Sequence, residues 1–173
     1  MPFGSSTCDG TPRNCYSLQP DYLIRVYLQD VSSGMTTATL DSMAYDYTPT
    51  DLWMWEVSAS TYASIIVKED DYGDNGFAAW VNCPDSSTTQ QTPEGRTCSP
   101  QVVKYNRNSA SYLAVYYNGS ESRDSIACHE LGHSVGLGHS TNELSCMEPG
   151  DPDGSTVLST HDVNTHINPH YGD

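Results

Sequence analysis

One eleven-residue segment constrains the fold of this chain more than any other feature: His129-Glu130-Leu131-Gly132-His133-Ser134-Val135-Gly136-Leu137-Gly138-His139. Residues four apart lie almost above one another on an α-helix, so His129 and His133 share one face. Gly136 lets the chain leave the helix without a Cβ clash, and His139 then returns from another direction. The spacing predicts that three imidazoles converge on one metal ion.

The number and type of these ligands favour catalytic zinc. Catalytic zinc sites keep an open fourth position, whereas structural sites are usually closed by four protein ligands. Glu130 lies about 100° around the helix from His129, beside the ligands, where a general base would contact a zinc-bound water and later protonate the leaving amine. A structural or regulatory zinc is the alternative, and a solvated helix carboxylate is the alternative for Glu130.

Length and hydrophobic periodicity predict one domain of the α+β class. A chain of 173 residues can bury one substantial core. We expect an N-terminal arm over residues 1–21 and a single catalytic domain over residues 22–173. The domain should contain five strands and about three helices. The predicted strands are residues 22–30, 53–57, 64–68, 77–82 and 101–105; the predicted helices are residues 36–47, 120–136 and 159–167; residues 112–117 fit a strand or a loop.

Composition excludes some partners and indicates a compartment. The net charge of −15 disfavours nucleic acid, which rewards basic surfaces. No run of apolar residues is long enough to span a membrane. Six cysteines in a chain with only seven Lys and Arg indicate a secreted, disulfide-bonded protein, although their number leaves the connectivity open. Nothing in the sequence fixes the oligomeric state, and a monomer is the default.

Three segments resemble the metzincin superfamily of zinc peptidases. The histidine motif resembles the metzincin motif, and Leu137-Gly138-His139-Ser140 is most similar to the matrixin branch. Cys146-Met147-Glu148-Pro149 resembles the Met-turn, in which a methionine lies beneath the metal. Residues 158–162 and the final Tyr171-Gly172 resemble the closing helix of matrixin catalytic domains. The resemblance covers about residues 122–172.

The resemblance implies a metzincin-like zincin fold of the α+β class, with a twisted, mixed, five-stranded sheet. It also implies a secreted zinc endopeptidase that hydrolyses extended polypeptides through a zinc-bound water activated by Glu130. It places Met147 under the zinc as support. It makes Phe77-Ala78-Ala79-Trp80 the edge strand that pairs with substrate, although an ordinary sheet strand is an equal alternative. It also implies that Glu148 and Pro149 wall the pocket for the residue after the scissile bond. A zinc hydrolase of non-peptide amides and a non-catalytic zinc-containing binding or toxin module remain alternatives.

The implied Met-turn also suggests the disulfides. If Met147 lies under the zinc, Cys128 and Cys146 come close together, and we predict that they are bonded. The nearest remaining partners are then Cys83 with Cys98 and Cys8 with Cys15.

Other residues depart from the family pattern or fit it weakly. No histidine precedes His129, so the second, structural zinc typical of matrixins is expected to be absent. Position 149 is proline rather than the tyrosine that some metzincins use as a further ligand. Calcium is a possible second cofactor in an acidic turn, although its carboxylates lack the EF-hand spacing and a solvated turn is favoured: Glu69, Asp70, Asp71 and Asp74. Three further histidines fit no ligand pattern, and a surface role is favoured for them: His161, His166 and His170.

Overall fold

The computed structural model describes residues 17–93, 95–140, 144–150 and 154–172. Its strands are β1 (Leu23–Gln29), β2 (Trp53–Glu56), β3 (Ile65–Asp70), β4 (Ala79–Asn82), β5 (Thr88–Thr92), β6 (Gly95–Ser99) and β7 (Gln101–Asn106). Its α-helices are α1 (Ser33–Ser42), α2 (Tyr112–Tyr116), α3 (Ser120–Ser134) and α4 (Asn168–Tyr171). Two π-helical turns, Met43–Tyr47 and Asp162–Ile167, extend α1 and precede α4, and a short 3₁₀ turn covers Ser60–Tyr62.

Five strands form one mixed sheet in the order β2-β1-β3-β7-β4. β1 is parallel to β2 and β3, and β3 is parallel to β7, whereas β4 pairs antiparallel with β7. β4 therefore lies at one edge of this sheet and β2 at the other. The α+β fold class with a mixed five-stranded sheet is confirmed.

One face of the sheet forms the hydrophobic core with the helices. Ile24 and Val26 of β1, Val67 of β3 and Val103 of β7 are fully buried on this face. They pack in the same cluster as Leu131 and other apolar residues of α3. Since successive side chains of a strand point to opposite faces, the intervening residues point away from the helices. None of the described helices has the length and apolarity needed to cross a bilayer.

Two segments differ from the sequence-based expectation. Residues 112–116 form helix α2, not the strand or loop predicted, because the Ser111 Oγ caps the segment by accepting the Ala114 N–H at 3.4 Å. The apolar residues of this segment show neither helical nor strand periodicity, so the capping hydrogen bond determines that it is a helix. The polar stretch that separates β4 from β7 forms the hairpin β5–β6, which the Cys83–Cys98 disulfide closes.

A buried carboxyl lies in the π-helical turn that follows α1. Asp46 is 9% exposed, and its Oδ2 accepts the Ser42 hydroxyl at 2.7 Å. Burial raises the pKa of Asp46 to about 6, the Ser42 hydrogen bond opposes this shift, and the nearby Asp124 carboxylate adds to it. Between about pH 4 and pH 6, the folded chain therefore keeps a proton on Asp46 that the unfolded chain has already released.

We predict that Asp46→Asn stabilises the protein near pH 7. The folded state binds the proton more tightly, so stability falls as pH rises through this window and the ionised carboxylate is destabilising above it. Asn keeps an acceptor for Ser42, and partial solvent screening limits the expected gain to about 1 kcal/mol. Urea unfolding between pH 4 and pH 8 measures it. The exposed Asp41→Asn is the matched control, and an equal gain in both variants would contradict the assignment.

Candidate metal centre

Helix α3 positions two of the three histidines. The side chain of Ser122 accepts the Gly119 N–H at 3.2 Å and fixes the beginning of the helix. At the other end, Gly136 adopts a φ of 102° and the Leu137 N–H donates to the Gly132 carbonyl at 2.9 Å. This left-handed turn is the conformation that glycine adopts at low cost, and it directs the following residues back towards the helix.

The turn brings His139 to the two helical histidines. The Nε2 atoms of His129 and His133 are 2.9 Å apart, and those of His133 and His139 are 3.2 Å apart. The ligand atoms of all three residues lie within 4.8 Å of one another. The three side chains predicted to converge are thus brought together at one point.

Hydrogen bonds to carbonyl groups determine which ring nitrogens face that point. The Nδ1 of His129 is 2.7 Å from the Cys146 carbonyl oxygen, and the Nδ1 of His133 is 2.7 Å from the Leu137 carbonyl oxygen. A carbonyl oxygen only accepts, so each Nδ1 carries the proton and each Nε2 presents a lone pair. Burial lowers the pKa of His129 to about 4 and holds that of His133 well below its ordinary value, which keeps both rings neutral.

These donors fit a divalent zinc ion. Two neutral Nε2 lone pairs at 2.9 Å cannot hydrogen-bond to each other, so their approach needs a shared cation. Tetrahedral zinc with N ligands at about 2.0–2.1 Å separates them by roughly 3.3 Å, close to the distances here. The carbonyls behind the rings supply the outer contacts that orient histidine ligands in metal sites.

Glu130 lies beside the histidines with one oxygen unpaired. The side chain is 3% exposed, and its Oε2 has no hydrogen-bond partner among the described residues. Burial raises the pKa of Glu130 to about 8. The residue lines the same cavity as His129 and His139. A buried carboxyl with an unsatisfied oxygen in that cavity is suited to accept a proton from a reacting water.

Met147 lies directly beneath helix α3 at the level of the histidines. It is fully buried, and a Cβ added at Gly132 would collide with its Sδ. Only glycine at position 132 allows this approach. The Met147 N–H donates to the Ser145 Oγ at 3.0 Å, which fixes the turn that carries it.

The chain of hydrogen bonds continues to Asp162, whose role the sequence reasoning missed. The Ser145 hydroxyl donates to the fully buried Asp162 Oδ2 at 2.6 Å. The same carboxylate accepts the Ser159 N–H at 3.0 Å, and the Asp162 N–H is 3.2 Å from the Ser159 Oγ. This reciprocal pair is a capping box, and the spacing Ser159-x-x-Asp162 is the signal that would have revealed it.

Two of the predicted disulfides are present. Cys83 is bonded to Cys98 and Cys128 is bonded to Cys146. The second bond joins α3 to the Met-turn segment, next to the carbonyl that orients His129. The predicted bond between Cys8 and Cys15 lies outside the described residues.

A cavity of about 400 Å³ adjoins the histidines. It is lined by Gly76, Phe77, Ala78, Ala79, Tyr116, Tyr117, Ile126, His129, Glu130, His139, Pro149 and Gly150. The lining thus contains Phe77, Ala78, Ala79 and Pro149 of the residues predicted to contact substrate, but neither Trp80 nor Glu148. The Trp80 ring packs against Tyr72 with centroids 4.9 Å apart. Tyr116, Tyr117 and Ile126 were not predicted.

The remaining candidate ligands do not join the site. The Glu69 carboxylate accepts the Ser32 N–H at 2.6 Å, and Asp70 pairs with Arg107 at 3.3 Å. Asp71 accepts the Asn108 amide and the Gly73 N–H, which hold the pKa of its carboxyl below the ordinary value. In the part of the chain that the structure describes, His129, His133 and His139 form the one converging group of metal-ligand side chains. Asp74, His161, His166 and His170 lie outside that group.

The geometry of this centre is that of a metal-dependent hydrolase, and comparison with known proteins gives its family. The sequence model of the matrixin family (peptidase M10) matches residues 54–172. The chain therefore belongs to the matrixin family, a family of zinc metallopeptidases. No curated protein matches the sequence significantly.

One similar solved structure is that of myroilysin. It is 13% identical, with a TM-score of 0.41, over 74% of this chain and 53% of that one. This chain therefore spans about half the length of that protein. The TM-score is too low for the likeness to support a functional argument.

We predict that breaking the Cys128–Cys146 disulfide weakens metal binding as well as stability. The variant Cys128→Ala/Cys146→Ala loses about 3 kcal/mol of stability, because the unfolded chain regains the entropy of an 18-residue loop. It also frees the carbonyl that orients His129, and changes in such outer contacts typically cost about 10–100-fold in metal affinity.

The matched control is Cys83→Ala/Cys98→Ala, which opens a loop of 15 residues away from the histidines. It should lose about 3 kcal/mol as well and keep its zinc affinity. Competition with a chromogenic chelator measures the affinity of both variants. Equal affinities would show that the Cys128–Cys146 bond does not support the ligand.

Proposed function

We propose that this chain is a secreted, zinc-dependent endopeptidase that cleaves extended polypeptides. The observation that carries the proposal is one cavity in which three histidine Nε2 atoms converge and an unpaired Glu130 oxygen lies beside them. Family membership supports zinc and peptide hydrolysis. The two disulfides support an oxidising, extracellular location.

In the proposed reaction the three histidines bind the metal ion and Glu130 transfers the proton. When bound by His129, His133 and His139, zinc supplies Lewis acidity to the attacking water and to the carbonyl of the scissile bond. Glu130 accepts the proton of that water and returns it to the amine that leaves. Burial raises the pKa of the Glu130 carboxyl, so once ionised it is a stronger base towards the proton of that water than an exposed carboxylate.

The edge strand β4 supports an extended peptide as the substrate. The Asn106 N–H donates to the Ala78 carbonyl at 2.9 Å, so Ala78 directs its backbone groups towards β7. Alternate residues of an antiparallel strand direct theirs to the other side. The N–H and C=O groups of Ala79 and Val81 therefore face away from β7, along the edge of the sheet. A substrate strand can pair with these groups by β-augmentation.

The cavity indicates the side chain that follows the scissile bond. Ile126, Tyr117 and Pro149 contribute apolar surface to it, and it adjoins His129 and Glu130. A volume of about 400 Å³ accommodates a large apolar side chain. We infer that substrates place such a side chain there.

We predict that Glu130→Gln retains zinc but loses turnover. The substitution keeps the size of the side chain and removes the proton acceptor, so kcat should fall by about 10²–10⁴-fold. Hydrolysis of a quenched fluorescent peptide measures turnover, and metal analysis of the same sample measures zinc. The control is Glu121→Gln, in the exposed first turn of the same helix, which should change neither. A zinc-replete Glu130→Gln enzyme of normal activity would overturn the mechanism.

Pairing with β4 predicts an alternating response to changes in the substrate backbone. N-methylation of a peptide amide removes a hydrogen-bond donor without touching the protein. Only every second amide on the paired side of the substrate should face Ala79 and Val81. Methylation there should lower kcat/KM about tenfold per lost bond, while the intervening positions should tolerate it. A uniform response along the peptide would exclude strand pairing.

A further inference from the structure

The face of the sheet opposite the helices has an unusual composition. We define the outer face as the outward-pointing residues of β1, β2 and β3 together with Lys104 of β7: Leu23, Arg25, Tyr27, Gln29, Trp53, Trp55, Ile66, Lys68, Asp70 and Lys104. Strand register sets this group, since Leu23 lies beside Trp53, Arg25 beside Trp55, Tyr27 beside Ile66, and Lys68 beside both Gln29 and Lys104.

Aromatic side chains are concentrated at the β2 side of the outer face. Two of the three tryptophans of the chain lie there, and Trp53 is 64% exposed. Leu23, its neighbour across the strands, is also exposed. Neither tryptophan has a ring contact with another described aromatic residue. Contiguous exposed apolar surface can mark a binding site, and tryptophan is among the side chains that most often anchor one.

The outer face also has the opposite charge balance to the whole chain. The chain contains 22 acidic and seven basic residues, whereas the outer face contains three cations, Arg25, Lys68 and Lys104, and one acid. That acid, Asp70, is already paired with Arg107 at 3.3 Å, the one salt bridge within the described residues. The three outer-face cations therefore have no carboxylate partner in this part of the chain.

Lys68 and Lys104 place two positive charges beside each other on the outer face. The two residues are direct neighbours on adjacent strands, where like charges repel. Burial lowers the pKa of Lys104, and the Lys68 charge lowers it further. The Lys104 Nζ lies 5.4 Å from the Tyr72 ring centroid and 5.6 Å from that of Trp80, while Lys68 and Arg25 have no such contact with the described aromatic rings. An anion between these side chains would remove the repulsion.

We propose that the outer face binds an anionic polysaccharide, a polymer of uronic acids. Its sugar rings would stack on Trp53 and Trp55, and its carboxylates would contact Arg25 and Lys68. Neighbouring side chains on one face lie about 7 Å apart along a strand and about 5 Å apart between strands. This arrangement repeats stacking and charged positions across the sheet, as a polymer with a ring and a carboxylate in each unit requires. A protein partner would instead need pockets for anchoring side chains.

The sheet order separates this surface from the cleavage site. β2 and β4 are at opposite edges of the five-stranded sheet, and the cavity beside the histidines involves β4. A polysaccharide on the outer face thus leaves the cleft open. The site would tether the enzyme to a carboxylated matrix while it cleaves protein, and it does not depend on the proposed reaction.

Affinity electrophoresis in gels containing polygalacturonate tests the proposal, with dextran and poly-L-glutamate gels in parallel. The unmodified protein should be retarded by polygalacturonate alone, and less so at higher salt. Trp53→Ala and Trp55→Ala should each weaken binding roughly tenfold. Arg25→Ala/Lys68→Ala should weaken it and reduce its dependence on salt. Tyr45→Ala, which removes a 76% exposed aromatic residue beside α1, is the control and should bind normally.

Hydrolysis of a short peptide shows that the variants are folded, since none of these residues lies in the catalytic cavity. Normal turnover with lost retardation supports the proposal. Three results with the unmodified protein would overturn it: no retardation by polygalacturonate, equal retardation by dextran, or retardation by poly-L-glutamate. The last would indicate an acidic protein as the partner. Unchanged binding by the tryptophan variants would equally exclude the outer face.

Discussion

The metal centre depends on the hydrogen bonds that the Cys146 and Leu137 carbonyls accept from His129 and His133. Each bond fixes the tautomer of a ring and aims its free nitrogen at the same point. The two carbonyls belong to segments that follow helix α3, so the ligands are oriented only when the chain beyond the helix is folded. The centre is therefore a property of the tertiary structure as much as of the helix that carries the histidines.

Several buried polar groups hold those later segments in place. The side-chain amides of Gln19 and Gln101 both donate to the Ser134 carbonyl, at 3.0 and 2.7 Å, where α3 ends. The Tyr171 hydroxyl donates to the neighbouring Val135 carbonyl at 3.0 Å. These bonds satisfy orphan carbonyls that the last turn of a helix leaves without partners. They also connect the N-terminal, central and C-terminal parts of the described chain to the turn that leads to His139.

Features with strong local periodicity could be predicted from the sequence, and features set by contacts between distant residues could not. The five strands, the site helix and the three ligands follow from alternation and from ligand spacing. Helix α2 was missed because its apolar residues show no helical periodicity, and the helix is set by the capping hydroxyl of Ser111. Gln19, Gln101 and Asp162 were missed because a buried polar residue has no sequence signature until its partner is known, although a capping box marks Asp162. Trp80 was predicted as part of the edge strand, and its strand was found; the direction of its ring, which packs against Tyr72 and does not line the cavity, follows from strand register.

Both edge strands of the sheet are short, which lowers the risk that an unpaired edge causes aggregation. Open edges invite pairing with other chains, and short edge strands limit that hazard. β2 and β4 each contain four residues. At β4 the edge lies next to the metal centre, where the proposed pairing would position a segment for cleavage. At a net charge of −15, copies of the protein also repel each other. An edge that would otherwise promote aggregation can thus remain available to substrate.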